Sequence, residues 1–564
     1  MKFIFPLTGF KKNLLLSLSM LLVLTACDED EILKEEPLDF LTPGNAFTTP
    51  SDIDVGVIGL YSDIRGTWYL RLNEAYALYG QGTDIGYDGE TPGGQRFLTD
   101  YQNSLTPENS NITNWWRGVY RHVQTVNILL RSIDELDEEL WSSEEQKNSY
   151  IAEARFFRAW SYRLAVTLWG DIPLITEVIE DAKVDFVRDP QEDVYAQIEE
   201  DLIFASQHLP APGSEAAPGR LTQGAALHLL TEIYLAQEKY QEAVATSTRV
   251  IEDFGYGLMT ERFGSEPDIF GTGDVYYDLF RYNNQNPPMN TEAIWTIQFE
   301  PNVELGGEQN YWSGIYGPRL HRLGNAPDGK PAYKNTYSDT LGIQVARIRG
   351  TNLVFYDVWK GDWHTDIRNA EHNIKRNFYY ENPDSEYHGK KIDLSDYPEG
   401  SRNLLKDTTN YIYPFFMKGW EPIIQAGISD PDRGGGGYIN TDFYAMRLAE
   451  TYLFRAEAYL GLGDQAAAAA DINVVRSRAQ ASPVTAGEVD IDYLLDERIR
   501  ELYFEEWRIL TLMRMDKLVD RTQRYHDNPL LHGANIQEHN KLFPIPQSQI
   551  DLNLEADFPQ NPGY

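Results

Sequence analysis

The sequence contains a single cysteine, Cys27, in 564 residues. No internal disulfide can form, so the fold must be held by its core alone. Basic residues are scarce as well: 49 Lys and Arg stand against 86 Asp and Glu, for a net charge of −37. Such a surface repels nucleic acid and anionic lipid and favours neutral or cationic ligands. Beyond the N-terminus no apolar run is long enough to cross a membrane. The chain also lacks a Gly-x-Ser-x-Gly nucleophile elbow, a His-Glu-x-x-His zinc motif and a Gly-x-x-x-x-Gly-Lys-Ser/Thr phosphate loop. No Asp-x-Asp-x-Asp-Gly calcium loop occurs. A glycosidase needs only two carboxylates at a suitable separation, and an acidic sequence leaves that open.

What is present begins at the N-terminus. Lys11 and Lys12 precede an apolar run from Leu14 to Ala26, broken only by Ser17, Ser19 and Thr25. The run is too short to span about 30 Å of hydrocarbon and suits the core of a secretory signal. It ends in Leu24-Thr25-Ala26-Cys27, which looks like a bacterial lipobox, with Cys27 lipidated and left as the first mature residue. The alternative is a plain secreted chain with a spare thiol. Stable anchoring needs several acyl chains, as a bacterial lipoprotein carries.

The helices are punctuated. Ser142 with Glu145 predicts a capping box opening a helix, whose stripe of Phe156, Trp160, Leu164 and Leu168 repeats every four residues. Gly170-Asp171-Ile172-Pro173 closes it, Asp189-Pro190 predicts the next helix start to about His208, and Thr222 opens a third. Two later stretches share a register. Tyr234 to Ala243 is nine residues, as is Tyr459 to Ala468, with Leu230, Tyr240, Val250 and Val475 on the same pattern. That is the spacing between the aromatic of one helix and the small residue of the next in a tetratricopeptide unit. The usual Leu-Gly pair is replaced by Leu230-Thr231 and Arg455-Ala456. In the second stretch Leu462-Gly463-Asp464 supplies a closing glycine and a capping aspartate.

Between these units, residues 255–440 are rich in Gly, Asn, Asp, Pro and aromatics without a helical period. Ala293 to Phe299 alternates as a short strand, and Gly434 to Gly437 reads as a flexible turn. A loop-rich segment this long, if ordered, is usually functional. Asp362, His364, Asp366 and His372 form the tightest His/acid cluster; solvated loop residues explain it better than a metal site.

Several segments together resemble the SusD/RagB family of outer-membrane nutrient-binding lipoproteins. They are Pro37-Leu38-Asp39-Phe40-Leu41-Thr42-Pro43-Gly44-Asn45-Ala46-Phe47; Glu153 to Trp160 with Trp169-Gly170-Asp171-Ile172-Pro173-Leu174; Arg447 to Leu453 running into Arg455 to Tyr459; Glu497 to Leu502 followed by Glu505 and Arg508; and Phe543-Pro544-Ile545-Pro546, Asn553 and Gln560-Asn561-Pro562-Gly563-Tyr564. Their order covers residues 27 to 564. Two departures are Glu506, where the family usually carries Gly, and Gln549, where it carries an acid.

The resemblance implies a mainly α fold: a right-handed scaffold of about four tetratricopeptide-like hairpins with a loop-rich, short-stranded insertion. The divisions expected are a signal at 1–26, an anchor and tether at 27–50, an N-terminal helical part at 51–254, the insertion at 255–440 and a C-terminal helical part at 441–564. It implies a lid over a TonB-dependent barrel of the SusC type, outward display helped by the acidic run Asp28 to Glu31, and an oligosaccharide ligand or, in one branch, a peptide. No enzyme activity, cofactor or metal is expected. Ligand contacts in the family come from the loop after the first long helix, here about 84–101, and from the insertion after the central strand. Among 12 Trp, 35 Tyr and 24 Phe, Tyr87, Trp312 and Tyr316, with Arg96, are the candidates, since sugars are read by aromatic platforms flanked by polar groups. Trp160 and Trp169 are expected in the core. Glu497 with Arg500, and Glu505 with Arg508, are expected as scaffold ion pairs. A tetratricopeptide assembly scaffold without ligand is the third class of reading.

Overall fold

The computed structural model describes residues 46–69, 72–90, 97–264, 273–300, 303, 306–307, 312–334, 341, 344–403, 407–420 and 441–564. Cys27, the segment 37–45, Arg96 and Gly434 to Gly437 lie outside them. Eight helices form four successive pairs: α1 (Pro50–Ile64) with α2 (Ser110–Glu135), α3 (Glu144–Trp169) with α4 (Gln191–His208), α5 (Gln223–Ala236) with α6 (Tyr240–Asp253), and α7 (Leu448–Gly461) with α8 (Gln465–Arg478). From α2 to α8 each helix packs on the next, so α6 lies against α7 although the whole insertion separates them in sequence. This is the tetratricopeptide-like scaffold.

Its two in-register hairpins meet as the spacing predicts. Ala243, Val250, Ala468 and Val475 are fully buried. Gly461 touches Tyr240, since a Cβ there would sit 2.5 Å from the ring. His228 Nδ1 lies 2.9 Å from the Thr451 hydroxyl, tying α5 to α7. Gly463 adopts φ 76° and Asp464 accepts from Ala467 N–H at 3.0 Å, the expected punctuation. The stripe Phe156, Trp160, Leu164 and Leu168 is buried, as is Trp169. Two caps shift by a residue. Ser143, not Ser142, caps α3, while Gln146 turns back onto the Ser142 N–H at 3.0 Å. At α4 the carboxylate that accepts from Gln191 N–H is that of Asp171, while Asp189 accepts from Leu174 N–H.

Strands are few and short: β1 (Gly86–Tyr87), β2 (Ala293–Ile297), β3 (Arg349–Gly350), β4 (Ile374–Lys375), β5 (Phe415–Phe416) and β6 (Phe443–Arg447). They form three antiparallel ladders, β1–β3, β2–β6 and β4–β5. The strand expected from 293 is present, yet every residue of β2 is buried, so both of its faces are covered. Within the insertion Leu320, Tyr333, Phe378, Tyr380, Phe415 and Trp420 form a small core of their own. Helices α9 (Ile491–Leu502), α10 (Arg508–Arg514) and α11 (Leu518–Tyr525) follow α8, and a short helix at Gln547–Leu552 comes after them.

The shared segments have structural reasons. The indole of Trp169 donates to the Pro544 carbonyl at 3.1 Å, and Asn561 donates to the carbonyls of Trp169 and Phe543 at 3.0 and 2.7 Å. Asn553 accepts from Phe186 N–H at 2.7 Å. The C-terminus is thereby sewn onto the end of α3.

Candidate functional site

The insertion is fastened to the helices by buried charge. Arg368 pairs with Asp366 (2.7 Å), Glu497 (2.9 Å) and Glu501 (3.0 Å), all four inaccessible to water. Arg447 on β6 reaches Glu292, Glu501 and Glu505, and Arg478 on α8 reaches Glu292 and Glu501. Buried ions persist only when paired this completely. Burial alone would raise the Glu497 carboxyl, but the guanidiniums of Arg500, Arg368 and Arg476 hold it down at about 2. The expected pair Glu497–Arg500 exists at 2.8 Å. Glu505 and Arg508 do not pair as expected: Glu505 takes Lys418 and Arg447, while Arg508 takes Asp84 and Glu506. Helical spacing put Glu505 and Arg508 together, but α10 begins only at Arg508, so Glu505 is not on the same helix. Glu506, the departure from the family pattern, is a working member of this network, accepting from both Arg498 and Arg508.

The loop from residue 84 and the insertion do come together. β1 pairs with β3, Asn410 donates to the Gly89 carbonyl at 3.0 Å, and Glu90 bridges Arg319 (2.9 Å) and Arg347 (3.0 Å). Gly89 permits the approach, because a Cβ there would lie 2.3 Å from the Thr409 carbonyl oxygen. Beneath this seam lie Tyr87 and Tyr316, which are 2% and 3% exposed. Both were expected as open platforms; both are packed instead. Tyr87 lies under the Arg349 guanidinium (5.1 Å) and against the His526 ring. Tyr316 packs at a tilt on Phe504 (4.2 Å between centroids), and its carbonyl accepts from the Tyr413 hydroxyl at 3.0 Å. Pairing of β1 turns Tyr87 inward, and the short helix Trp312–Tyr316 lays Tyr316 on the turn after α9. Burial pushes both phenols above their ordinary values. The side chains of Arg96 and Trp312 lie outside the described residues.

The exposed rings are elsewhere in the insertion. Tyr379, Tyr356 and Trp363, at 44%, 39% and 36%, are the most exposed Phe, Tyr or Trp side chains among the described residues. Tyr379 stands at a cleft of about 860 Å³ whose lining includes Tyr333, Glu371, Lys375, Asn377 and His388. That is the size and make-up of a small-molecule site, apolar with a few placed polar groups. Lys375 Nζ lies 5.9 Å from the Tyr379 ring and 3.8 Å from Glu371, whose carboxylate also accepts from Asn377 N–H at 3.0 Å. The cleft therefore offers an aromatic face with a cation and a carboxylate that largely balance. Sequence reading missed Tyr379 because the run Phe378-Tyr379-Tyr380 shows no sign of which ring faces out; the outer two are taken into the insertion's small core.

The His/acid cluster is dispersed. Asp366 is buried on Arg368, Asp362 is held by Arg476 at 2.6 Å, and His372 lies 2.6 Å from Asp274. Two of the acids are thus structural anchors, not solvated loop groups. Among the described residues no group of His, Cys, Asp and Glu is arranged to hold a metal.

A mainly helical, tetratricopeptide-like scaffold carrying a loop-rich face with a cleft defines a class, and the comparisons specify it. The profile described as "SusD family" matches residues 291–564, and that described as "Starch-binding associating with outer membrane" matches 74–235. The chain is 25% identical over 581 residues to SusD-like protein P25 of Formosa agariphila, spanning 95% of this chain and 96% of that one. Its fold matches a laminarin-binding SusD-like protein with TM-score 0.65 at 21% identity, over 92% of this chain and all of the other. It matches surface glycan-binding protein A from Bacteroides thetaiotaomicron with TM-score 0.67 at 18% identity, over 92% and 100% of the two chains. The protein belongs to the SusD family. Among the described residues, no helix is long and apolar enough to cross a membrane.

Proposed function

We propose that this protein is a cell-surface lipoprotein that captures oligosaccharides and hands them to a TonB-dependent barrel of the SusC type, without cleaving them. The observation that carries the reading is the cleft beside Tyr379: roomy, mostly apolar, and edged by one exposed ring with Lys375, Asn377 and His388. A sugar presents C–H faces and hydroxyls together, and this lining suits both. The acidic net charge and the near-balanced Lys375 and Glu371 favour a neutral glycan. Names of relatives that bind laminarin or surface glycans support the same class. The family resemblance makes Arg96 and Trp312 the further contacts. Cys27 carries the lipid, and the acidic run after it displays the chain outward.

Isothermal titration of residues 28–564 against a panel of oligosaccharides and peptides tests this. Heat with one glycan class, at least tenfold weaker in Tyr379→Ala or Trp312→Ala, is the expected result. Heat with peptides alone would move the ligand to the peptide branch. Silence across the panel would overturn the binding reading.

A further inference from the structure

We infer that Tyr356 and Trp363 form a second carbohydrate-binding platform, separate from the cleft, so that one chain grips a polysaccharide at two points. The inference rests on the glycan-binding reading above. The two rings are nearly parallel, 10° apart with centroids 6.3 Å from each other, and the Arg376 guanidinium lies 4.7 Å from the Trp363 ring centroid. Both rings are more than a third exposed, so they leave adjacent apolar surface open to solvent.

The surface is also rigid. The Trp363 carbonyl accepts from Asn369 at 2.7 Å, and the neighbouring Asp362 is clamped by Arg476 at 2.6 Å and by Ser482 N–H at 3.0 Å. Arg376 is fixed by the Asn369 side chain (2.6 Å) and the Phe355 carbonyl (2.8 Å). Both of its terminal nitrogens donate to the protein, so it orients the ring and does not wait for an anionic ligand. A pair of aromatics held this firmly and left open meets the requirement for binding with little loss of entropy. Stacked rings with a hydrogen-bonding rim suit a pyranose, whose C–H face lies on the ring while its hydroxyls find donors at the edge. The rim here includes Lys360 and Asp357, paired at 2.8 Å and both accessible.

The platform and the cleft are distinct. Lys375 and the run from Asn377 to Glu381 line the cleft, whereas Arg376 lies over Trp363, and Arg376, Tyr356 and Trp363 are not among the cleft's lining. A short oligosaccharide fills one or the other. A long chain can engage both, and the second contact then acts at high effective concentration.

The test is titration of residues 28–564 with a short oligosaccharide of the class that binds, and with its parent polysaccharide. The wild type is expected to take two short oligosaccharides per chain. Trp363→Ala should take one, with Tyr379→Ala failing at the other site. Against the polysaccharide Trp363→Ala should bind at least tenfold more weakly. Trp363→Tyr, which keeps a ring, should restore the second equivalent and shows that the loop still folds. One equivalent in the wild type, with Trp363→Ala indistinguishable from it on both ligands, would overturn the platform while leaving the glycan-binding reading intact. No heat from any glycan with the wild type would instead overturn the reading on which it rests.

Discussion

Asp84 stands at the start of the loop that meets the insertion, and it is fully buried. It accepts from Arg508 at 2.6 and 3.0 Å and from Arg521 at 2.7 Å, residues more than 400 positions away in sequence. Burial would raise its carboxyl, but the two guanidiniums override burial and hold it below the ordinary value. Asp84→Asn keeps the shape and removes the charge, leaving two inaccessible guanidiniums short of a partner. Breaking such a pair costs about 3–5 kcal/mol. Arg508 keeps Glu506 at 2.8 Å, and Arg521 keeps Asp492 and Asp496 at 2.8 and 2.6 Å. The loss should therefore fall at the lower end, about 3 kcal/mol. Urea unfolding followed by tryptophan fluorescence should show the midpoint lowered by roughly 0.5–1 M. Arg508→Met in the same background should add less than it costs alone, because the two changes share a partner. A midpoint within about 0.2 M of wild type would refute the claim that this cluster pins the loop to the C-terminal helices.

Other consequences are as direct. Glu450 and Glu497 are held at about 2 when folded against an ordinary value of 4.5. Their contribution is complete above pH 4.5 and disappears as the pH falls towards 2, about 3 kcal/mol each. Glu153 and Asp201, raised by burial, act in the opposite sense. Acid unfolding by circular dichroism should thus sharpen below pH 4.5, and Glu497→Gln should flatten part of that fall; an unchanged acid limb would contradict it. Gly82 has φ 74° and its Cβ would lie 2.0 Å from the Leu98 carbonyl oxygen. Gly82→Ala should destabilise by about 2 kcal/mol or more, seen as a lower thermal midpoint, whereas a neutral effect would mean that this loop repacks freely.

Much of the scaffold was legible because helices announce themselves locally. The nine-residue spacing from aromatic to small residue, Gly463 with Asp464, and Thr222 before α5 each reflect backbone or packing needs met within a few residues. Caps slipped by one position where neighbouring side chains compete, as Ser142 and Ser143 do for the start of α3. Partners across the fold were not legible. Glu505 and Arg508 sit three apart in sequence but answer to Lys418, Arg447 and Asp84, which only the tertiary fold brings near. The ring positions failed for a related reason. Whether Tyr87 or Tyr379 faces water depends on which short strand pairs with which, and the two-residue ladders of the insertion carry too little pattern to reveal it.

The most direct test of the central claim is native electrophoresis of residues 28–564 through gels cast with candidate polysaccharides, followed by a reducing-end assay on the same mixtures. A capture protein is expected to be retarded by one polysaccharide, to lose most of that retardation in Tyr379→Ala, and to release no new reducing ends. Reducing ends appearing with time would make the protein a hydrolase, and unretarded migration in every gel would contradict glycan capture.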